Sequence, residues 1–180
     1  MTITAPQAVE QGTWALDPVH SRVGFAVGYL AGTFHGSFGS FDATLQADGS
    51  GTFTLAGTAD VASVQVADES LAAHLVSPEF FDAERAPQIS FASKDIVPSG
   101  EDVAVQGDLA MKGSSRPVAL TGSLGGPVAD PYGRQRLNLR LETTVDRSEF
   151  GLDWNVPLPN GEPALAQDVV LSAELAFVKA

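Results

Sequence analysis

The sequence predicts an all-β domain in which one antiparallel sheet of roughly eight strands closes into a barrel or splits into a sandwich. Apolar and polar residues alternate along several segments, and turn sequences such as ADGSG, PSGED and DPYG separate those segments. The composition agrees, with 18 glycines and only 18% charged residues. A chain of 180 residues suits a single domain that buries enough surface to fold without disulfides or structural metals.

The alternation predicts which residues face the interior of the sheet, because neighbouring strand residues point to opposite faces. The first strand carries Val23, Phe25, Val27 and Tyr29 on one face. Later stripes are Phe53, Leu55, Gly57, Ala59 and Val61; Val103, Val105, Gly107, Leu109 and Met111; Val118, Leu120, Gly122 and Leu124; Leu137, Leu139, Leu141 and Val145; and Val169, Leu171, Ala173, Leu175 and Phe177.

Small residues recur on these inner stripes and leave two interpretations open. They fit a hollow barrel, and they fit equally a tightly coiled sheet whose strands approach closely. The residues concerned are Gly57, Ala59, Gly107, Gly122 and Ala173.

One segment, DESLAAHLVSPEFFDAERAP, breaks the alternation and predicts a short helix between strands. Leu71, His74 and Leu75 have helical spacing, and the acidic pair before them suits the positive end of the helix dipole. Phe80 and Phe81 follow Pro78, so we expect them on a second turn against the barrel. The helix either caps a barrel end or forms a lid whose aromatic rings line a ligand entrance.

Charge and composition exclude several classes of function. The net charge of -12 disfavours nucleic acid and anionic membrane surfaces, since both need a basic face. Arg22 is the only Lys or Arg before Arg85, so a cationic spot is expected from the second half, with Arg22 as a candidate addition. The chain has no cysteine, which removes disulfides and thiolate metal sites.

Residues 1–12 are expected to form a flexible leader before a single domain over residues 13–180. The leader lacks the basic start and apolar core of a secretory signal, and no later apolar run is long enough to span a bilayer. We therefore expect a cytoplasmic protein without stable membrane insertion.

The stretch LDPVHSRVGF contains Asp17, His20 and Ser21, the three residue types of a nucleophilic triad. Pro18 makes the dipeptide at Asp17 a turn, and the strand that follows places His20 and Ser21 on opposite faces. Because a triad needs its nucleophile and base within hydrogen-bond reach, we expect structural roles instead. Asp17 is expected to accept backbone N–H bonds, and His20 to bond a neighbouring carbonyl or carboxylate.

Other catalytic and metal-binding patterns are missing from the sequence. His20, His35 and His74 are too scattered for a zinc motif, and the chain has no P-loop, G-x-G-x-x-G or G-x-S-x-G pattern. Arg147 is expected to pair with Asp146 or Glu149. We predict no catalytic residue, no metal site and no cofactor.

Four blocks of the sequence resemble the YceI-like, polyisoprenoid-binding family. They are WALDPVHSRVGF, HLVSPEFFDAERAPQISFAS, GDLAMKGSSRPVAL and VDRSEFGLDWN, which occur in the family's order between Trp14 and about Phe177. Two departures are visible: Tyr29 stands where the family commonly has a histidine, and Ala72 or Ala73 replaces a basic residue before the His-Leu pair. The resemblance therefore carries over the apolar framework and not a head-group preference.

The resemblance implies an extended, lipocalin-like antiparallel barrel with a helix outside, which holds a long amphiphile such as a polyisoprenoid or isoprenoid quinone for transport or storage. Relatives suggest a homodimer. Candidate contacts to the ligand tail are Val23, Phe25, Val27, Tyr29, Phe38, Phe53, Leu55, Phe81, Phe91, Leu109, Met111, Leu139 and Trp154. Candidate head-group contacts are His20, Arg22, His74, Arg116 in a turn before Pro117, and Asn155.

Two other functions stay open on the sequence. The same barrel could be an enzyme that acts on a bound lipid with His20 or His74 as acid or base. It could also be a structural or stress protein whose barrel is filled by side chains.

Overall fold

The computed structural model describes residues 9–180, which fold into eleven β-strands, one α-helix and three short 3₁₀ turns. The strands are β1 (Gly12–Leu16), β2 (Arg22–Tyr29), β3 (Gly32–Phe38), β4 (Phe41–Ala47), β5 (Phe53–Asp60), β6 (Val64–Gln65), β7 (Gln88–Ser99), β8 (Asp102–Met111), β9 (Ser114–Ala129), β10 (Gln135–Asp146) and β11 (Leu165–Lys179). The helix is α1 (Glu69–Val76), and the 3₁₀ turns are Pro18–His20, Val61–Ser63 and Arg147–Phe150.

The sheet closes on itself because β1 pairs with β4 on one side and with β11 on the other. The first part of the long β11 pairs with β2 and its last part pairs with β1. The 3₁₀ turn Pro18–His20 separates β1 from β2. β1 and β2 therefore act as one interrupted strand, as do β3 and β4. The result is an eight-stranded, antiparallel barrel with one short helix, which confirms the predicted fold class.

The barrel interior holds two hydrophobic clusters, one toward each end. The first is a packed plug that contains Trp14 and Phe177, each with no exposed surface, together with Leu137 and Val105. The second lies at the end that α1 covers and includes Phe25 and Leu109. Side chains thus fill one end of the barrel, and the candidate site lies at the other.

Helix α1 begins where the sequence predicted it. The Asp68 carboxylate caps the helix by accepting a hydrogen bond from the backbone N–H of Leu71 at 3.0 Å. Leu75 is buried, and the backbone N–H of Phe81 donates to its carbonyl at 3.0 Å, which brings the following turn under the helix. The Phe81 ring meets those of Phe25 and Phe38 edge-on, at centroid distances of 6.1 and 5.9 Å.

Of the predicted leader, residues 1–12, the first eight residues lie outside the described residues. From Val9 onward the chain packs on the plug: the Glu10 carboxylate pairs with Lys179 at 2.9 Å, and its carbonyl accepts the Trp14 indole N–H at 3.2 Å. Within residues 9–180, no helix has the length and apolar character needed to cross a membrane.

Candidate functional site

An apolar cavity of about 350 Å³ occupies the end of the barrel under α1. Strands from the whole circumference contribute to its wall, and Leu71, His74 and Leu75 of α1 close it together with Phe80 and Phe81. The helix therefore caps the barrel with its own apolar side, and the aromatic residues after it line the cavity. The position of the helix agrees with the interpretation that it caps a barrel end. The interpretation that it acts as a lid over a ligand entrance stays a prediction.

Most of the predicted tail contacts lie on the cavity wall. These are Val23, Phe25, Val27, Tyr29, Phe38, Leu55, Phe81, Phe91, Leu109, Met111 and Trp154. The prediction is corrected at Phe53 and Leu139, because neither lines the cavity and both pack in the plug at the other end of the barrel. They share the inward direction of their strands with the wall residues, but they lie at a different height along the barrel axis.

The small inner residues divide between the two interpretations that the sequence left open. Gly57, Ala59 and Ala173 line the cavity, as a hollow barrel requires. Gly107 and Gly122 instead allow close approach: a Cβ at Gly107 would overlap the Phe91 ring, and one at Gly122 would overlap a backbone carbonyl of β10. The sheet is tightly coiled at some positions and hollow at others.

An aromatic cluster stands where α1 meets the segment after β10. The His74 ring contacts Phe80 and Trp154 edge-on, at centroid distances of 4.8 and 4.9 Å, and Phe80 lies 5.2 Å from Trp154. His74 Nε2 also bonds the Glu79 carboxylate. Of the predicted head-group residues, His74 is thus the one that the structure brings to the cavity wall. Its ring is already in contact with the aromatic rings and the carboxylate described above.

The other predicted head-group residues lie away from the cavity wall. Arg22 is exposed at the start of β2. Arg116 lies within β9 rather than in a turn, and its Nε donates to the carbonyl of Glu149 at 3.2 Å. Asn155 bonds Leu165 in both directions, donating to its carbonyl at 2.7 Å and accepting from its N–H at 3.0 Å. Its amide therefore fastens the segment between β10 and β11 to the first residue of β11.

The predicted turn around Asp17 is present and has structural roles. The carboxylate accepts the N–H of Val19 at 3.1 Å and lies 2.7 Å from Nδ1 of His20, whose side chain is 68% exposed. Ser21 donates instead to the Asp17 carbonyl at 2.7 Å. His20 and Ser21 therefore make separate contacts and do not form a nucleophile and base pair.

An interaction that the sequence did not predict anchors this turn across the barrel end. Nη1 of Arg136 donates to the Asp17 carboxylate at 2.8 Å, while its Nε donates to Asp130 at 2.8 Å. The hydrogen bond from Arg136, together with that from His20, lowers the pKa of Asp17 to about 2. Residues this far apart in the chain meet only because β10 and β11 return to β1.

The expected ion pair of Arg147 with Asp146 or Glu149 is absent, and Arg147 contributes a charge to the cavity wall. It is 5% exposed and its guanidinium bonds backbone carbonyls rather than Asp146 or Glu149. Asp146 caps the 3₁₀ turn by accepting from Ser148. Burial lowers the pKa of Arg147 from its usual value.

Over residues 9–180, no three His, Asp or Glu side chains are grouped so that they could hold an ion.

Comparison with known proteins identifies the family. The YceI-like domain matches residues 14–177, which is nearly the whole chain. This protein belongs to the YceI-like family. A UPF0312 protein of Staphylococcus aureus (strain USA300) is 28% identical over 168 residues, which cover 91% of this chain and 96% of the relative. Protein YceI of Escherichia coli (strain UMN026) is 27% identical over 158 residues, covering 86% and 81%.

Solved structures share the barrel of this YceI-like protein. Burkholderia cenocepacia BcnA superposes with a TM-score of 0.75 at 23% identity, covering 89% of this chain and 98% of BcnA. A polyisoprenoid-binding domain from Saccharophagus degradans superposes with a TM-score of 0.69 at 12% identity, covering 95% and 100%. At these identities the likeness shows the fold.

The two departures from the family pattern occupy different places in this YceI-like barrel. Tyr29 lines the cavity and is 43% exposed, so it lies where the wall reaches solvent. Ala72 and Ala73 lie on α1 outside the wall. Tyr29 therefore forms part of the rim of the cavity, whereas the two alanines do not.

Proposed function

We propose that this YceI-like protein binds the apolar chain of an amphiphile, a polyisoprenoid or isoprenoid quinone, in its barrel for transport or storage. The observation that carries the proposal is the apolar cavity under α1. Family membership and the polyisoprenoid-binding domain of Saccharophagus degradans support a binding role.

The size of the cavity favours an occupant over an empty interior. An apolar cavity of about 150 Å³ stays dry and takes up benzene, and this one is more than twice as large. At about 24 cal/mol per Å³, an unfilled cavity of 350 Å³ forfeits about 8 kcal/mol. Since that approaches the whole stability of a typical domain, a bound chain would stabilise the fold strongly.

The apolar chain of the ligand supplies the main driving force in this proposal. Each buried methylene contributes about 0.8 kcal/mol, so an isoprenoid chain of several units reaches high affinity before any polar contact is counted. Contacts to the head group would then set selectivity and orientation.

A binding role is favoured over catalysis by the contacts of the candidate acid and base residues. His20 projects to solvent beside Asp17, away from the cavity wall. His74 reaches the wall but its Nε2 is engaged by Glu79. A barrel filled throughout by side chains is disfavoured by the cavity itself.

Solvent extraction of the purified protein followed by mass spectrometry tests the proposal. We expect a long-chain amphiphile in the extract and saturable binding of added polyprenol or quinone to the emptied protein. Recovery of no lipid, together with no binding of either ligand, would overturn carriage.

A matched pair of variants on β5 locates the binding site. Ala59 is buried on the cavity wall, whereas Ala56 is exposed on the opposite face of the same strand. Ala59→Phe is expected to abolish or strongly weaken binding by filling the cavity, and Ala56→Phe is expected to bind as wild type does. Equal binding by both variants would place the lipid elsewhere.

A further inference from the structure

Arg147 is the buried charged side chain of the cavity wall in residues 9–180. Its Nε donates to the carbonyl of Ala166 at 2.8 Å, and its Nη1 donates to those of Leu152 at 2.6 Å and Trp154 at 2.8 Å. These bonds hold the guanidinium against the segment that leads from the 3₁₀ turn into β11. Nη2 has a weak contact only, 3.5 Å from the carbonyl of Leu165.

The donors of the guanidinium are therefore unequally used. A guanidinium has five N–H groups in a planar fork, and the three on Nε and Nη1 are engaged in short bonds. The two N–H groups of Nη2 share the single long contact to Leu165. The Nη2 side is the part of the group with bonding capacity left for a ligand.

Arg147 also makes no direct ion pair within residues 9–180, although the carboxylates of Asp153 and Asp146 lie near enough for their charges to favour its protonated form against the effect of burial on its pKa. The ion pairs among the described residues do not include it, and the nearby Asp146 carboxylate is engaged by the N–H and hydroxyl of Ser148. Burying a cation with neutral partners alone is costly, and an anion brought to it would recover part of that cost. An arginine matches the paired oxygens of carboxylate and phosphate groups in particular.

We propose that Arg147 receives the anionic head group of the bound amphiphile, a carboxylate or phosphate, through its Nη2 edge. The inference rests on the proposed function and narrows its ligand class: an acidic lipid is preferred to a neutral quinone or alcohol with the same tail. The head then lies at the end of the barrel that α1 covers. The tail extends along the wall formed by Phe25, Phe38 and Leu109.

The overall charge of the protein makes this preference diagnostic. A net charge of -12 repels anions at long range, so the overall electric field of the protein disfavours the anionic ligand relative to the neutral one. A preference for the acid must arise from a local group. Arg147 is the arginine on the cavity wall of the described chain.

Matched ligands test the inference on the unmodified protein, which avoids reliance on a variant that fails to fold. The emptied protein is titrated with hexadecanoate and methyl hexadecanoate, and in parallel with farnesyl phosphate and farnesol. Binding is followed by the fluorescence of Trp154 on the cavity wall, while Trp14 in the plug gives a constant background. We expect each anion to bind roughly tenfold to a hundredfold more tightly than its neutral partner.

Variants assign the preference to the side chain. Arg147→Met is expected to remove the difference between hexadecanoate and its ester, and Arg147→Lys to retain part of it, since a lysine keeps the charge without the fork. Arg140→Met is the control, because Arg140 lies on β10, the strand that ends just before Arg147, with its side chain 65% exposed and paired with Glu174. It is expected to keep the full preference.

The outcomes separate this inference from the proposed function. Equal affinities within about twofold for acid and neutral ligands in wild type would overturn the role of Arg147 and leave chain binding intact. A preference that persists undiminished in a folded Arg147→Met variant would also overturn it. Failure of all four ligands, of polyprenol and of quinone to bind would instead refute the proposed function.

Discussion

Filling the cavity is predicted to stabilise the emptied protein while it removes ligand binding. Ala59 lies on β5 with its side chain on the cavity wall and is 5% exposed. In Ala59→Phe the new ring has unoccupied space beside it. A phenylalanine that moves from water in the unfolded chain to this apolar site contributes about 2 kcal/mol.

The sign of the stability change distinguishes a hollow barrel from a packed one. In a tightly packed core, an added ring forces strain and costs about 1 to 3 kcal/mol. In the cavity it raises stability by a similar amount, which corresponds to an increase in Tm of about 4 to 8 °C for a domain of this size. Function and stability therefore change in opposite directions, which loss of folding cannot imitate.

Urea unfolding of extracted wild type and variants measures the effect. Ala56→Phe serves as the control, since a surface substitution on the same strand changes stability by less than about 0.5 kcal/mol. A lower unfolding free energy for emptied Ala59→Phe than for emptied wild type would refute the assignment of free volume to this site. Mass spectrometry must verify that both samples are free of lipid.

Three further predictions address the charged groups and the candidate acid and base. Hydrogen bonds from Arg136 and His20 lower the pKa of Asp17 from its ordinary value of 3.8 to about 2, so this carboxylate stabilises the fold fully above about pH 4 and the contribution is lost as the pH falls through 2. In Asp17→Asn this part of the pH dependence of urea unfolding is expected to disappear, and an unchanged profile would contradict the assignment. Arg147→Met is expected to lower the unfolding free energy by about 3 kcal/mol because buried carbonyls lose their donor, whereas Arg140→Met lowers it by less than about 1 kcal/mol, and similar losses in both would argue against a buried anchor. A lipid incubated with wild type or His74→Ala is expected to be recovered at unchanged mass, and conversion by wild type alone would establish catalysis.

The alternation of apolar residues predicted the strands and their buried face, because burial of one sheet face imposes a period of two wherever it occurs; the choice of a barrel over a sandwich came from the family resemblance. The stripe from Val103 to Met111 became β8, and the stripe from Leu137 to Val145 became β10. The helix was equally visible, since Asp68 and the spacing of Leu75 report local requirements. These features depend on neighbours within a few positions along the chain.

Alternation could not predict how deep in the barrel each inward residue lies. Leu55 and Phe53 are neighbours on the same face of β5 and both pack in the plug, yet only Leu55 of the two also reaches the cavity wall. Their difference follows from the height at which β5 crosses the barrel and from the strands beside it. A similar limit applied to Gly107 and Gly57, which are identical in sequence type but meet different neighbours.

The role of Arg147 illustrates why polar positions were the least predictable. Its acidic sequence neighbours suggested an ion pair, but the 3₁₀ turn directs the guanidinium inward to carbonyls of Leu152 and Ala166. A basic residue directly after a buried strand was the available signal. Its partners come from a segment whose path is set only when β11 joins the barrel.

The sequence by itself determined that the chain is an antiparallel β-structure with one buried sheet face and one helix, because patterns of period two and period 3.6 encode which faces are buried. LDPVHSRVGF likewise contained the turn at Asp17 and the inward direction of Val23 and Phe25. Tertiary structure decided that one barrel end is plugged and the other hollow, and that Arg147 lies in the wall of the hollow end. These outcomes depend on which distant side chains meet at each height of the barrel, and closure of the sheet alone brings them together.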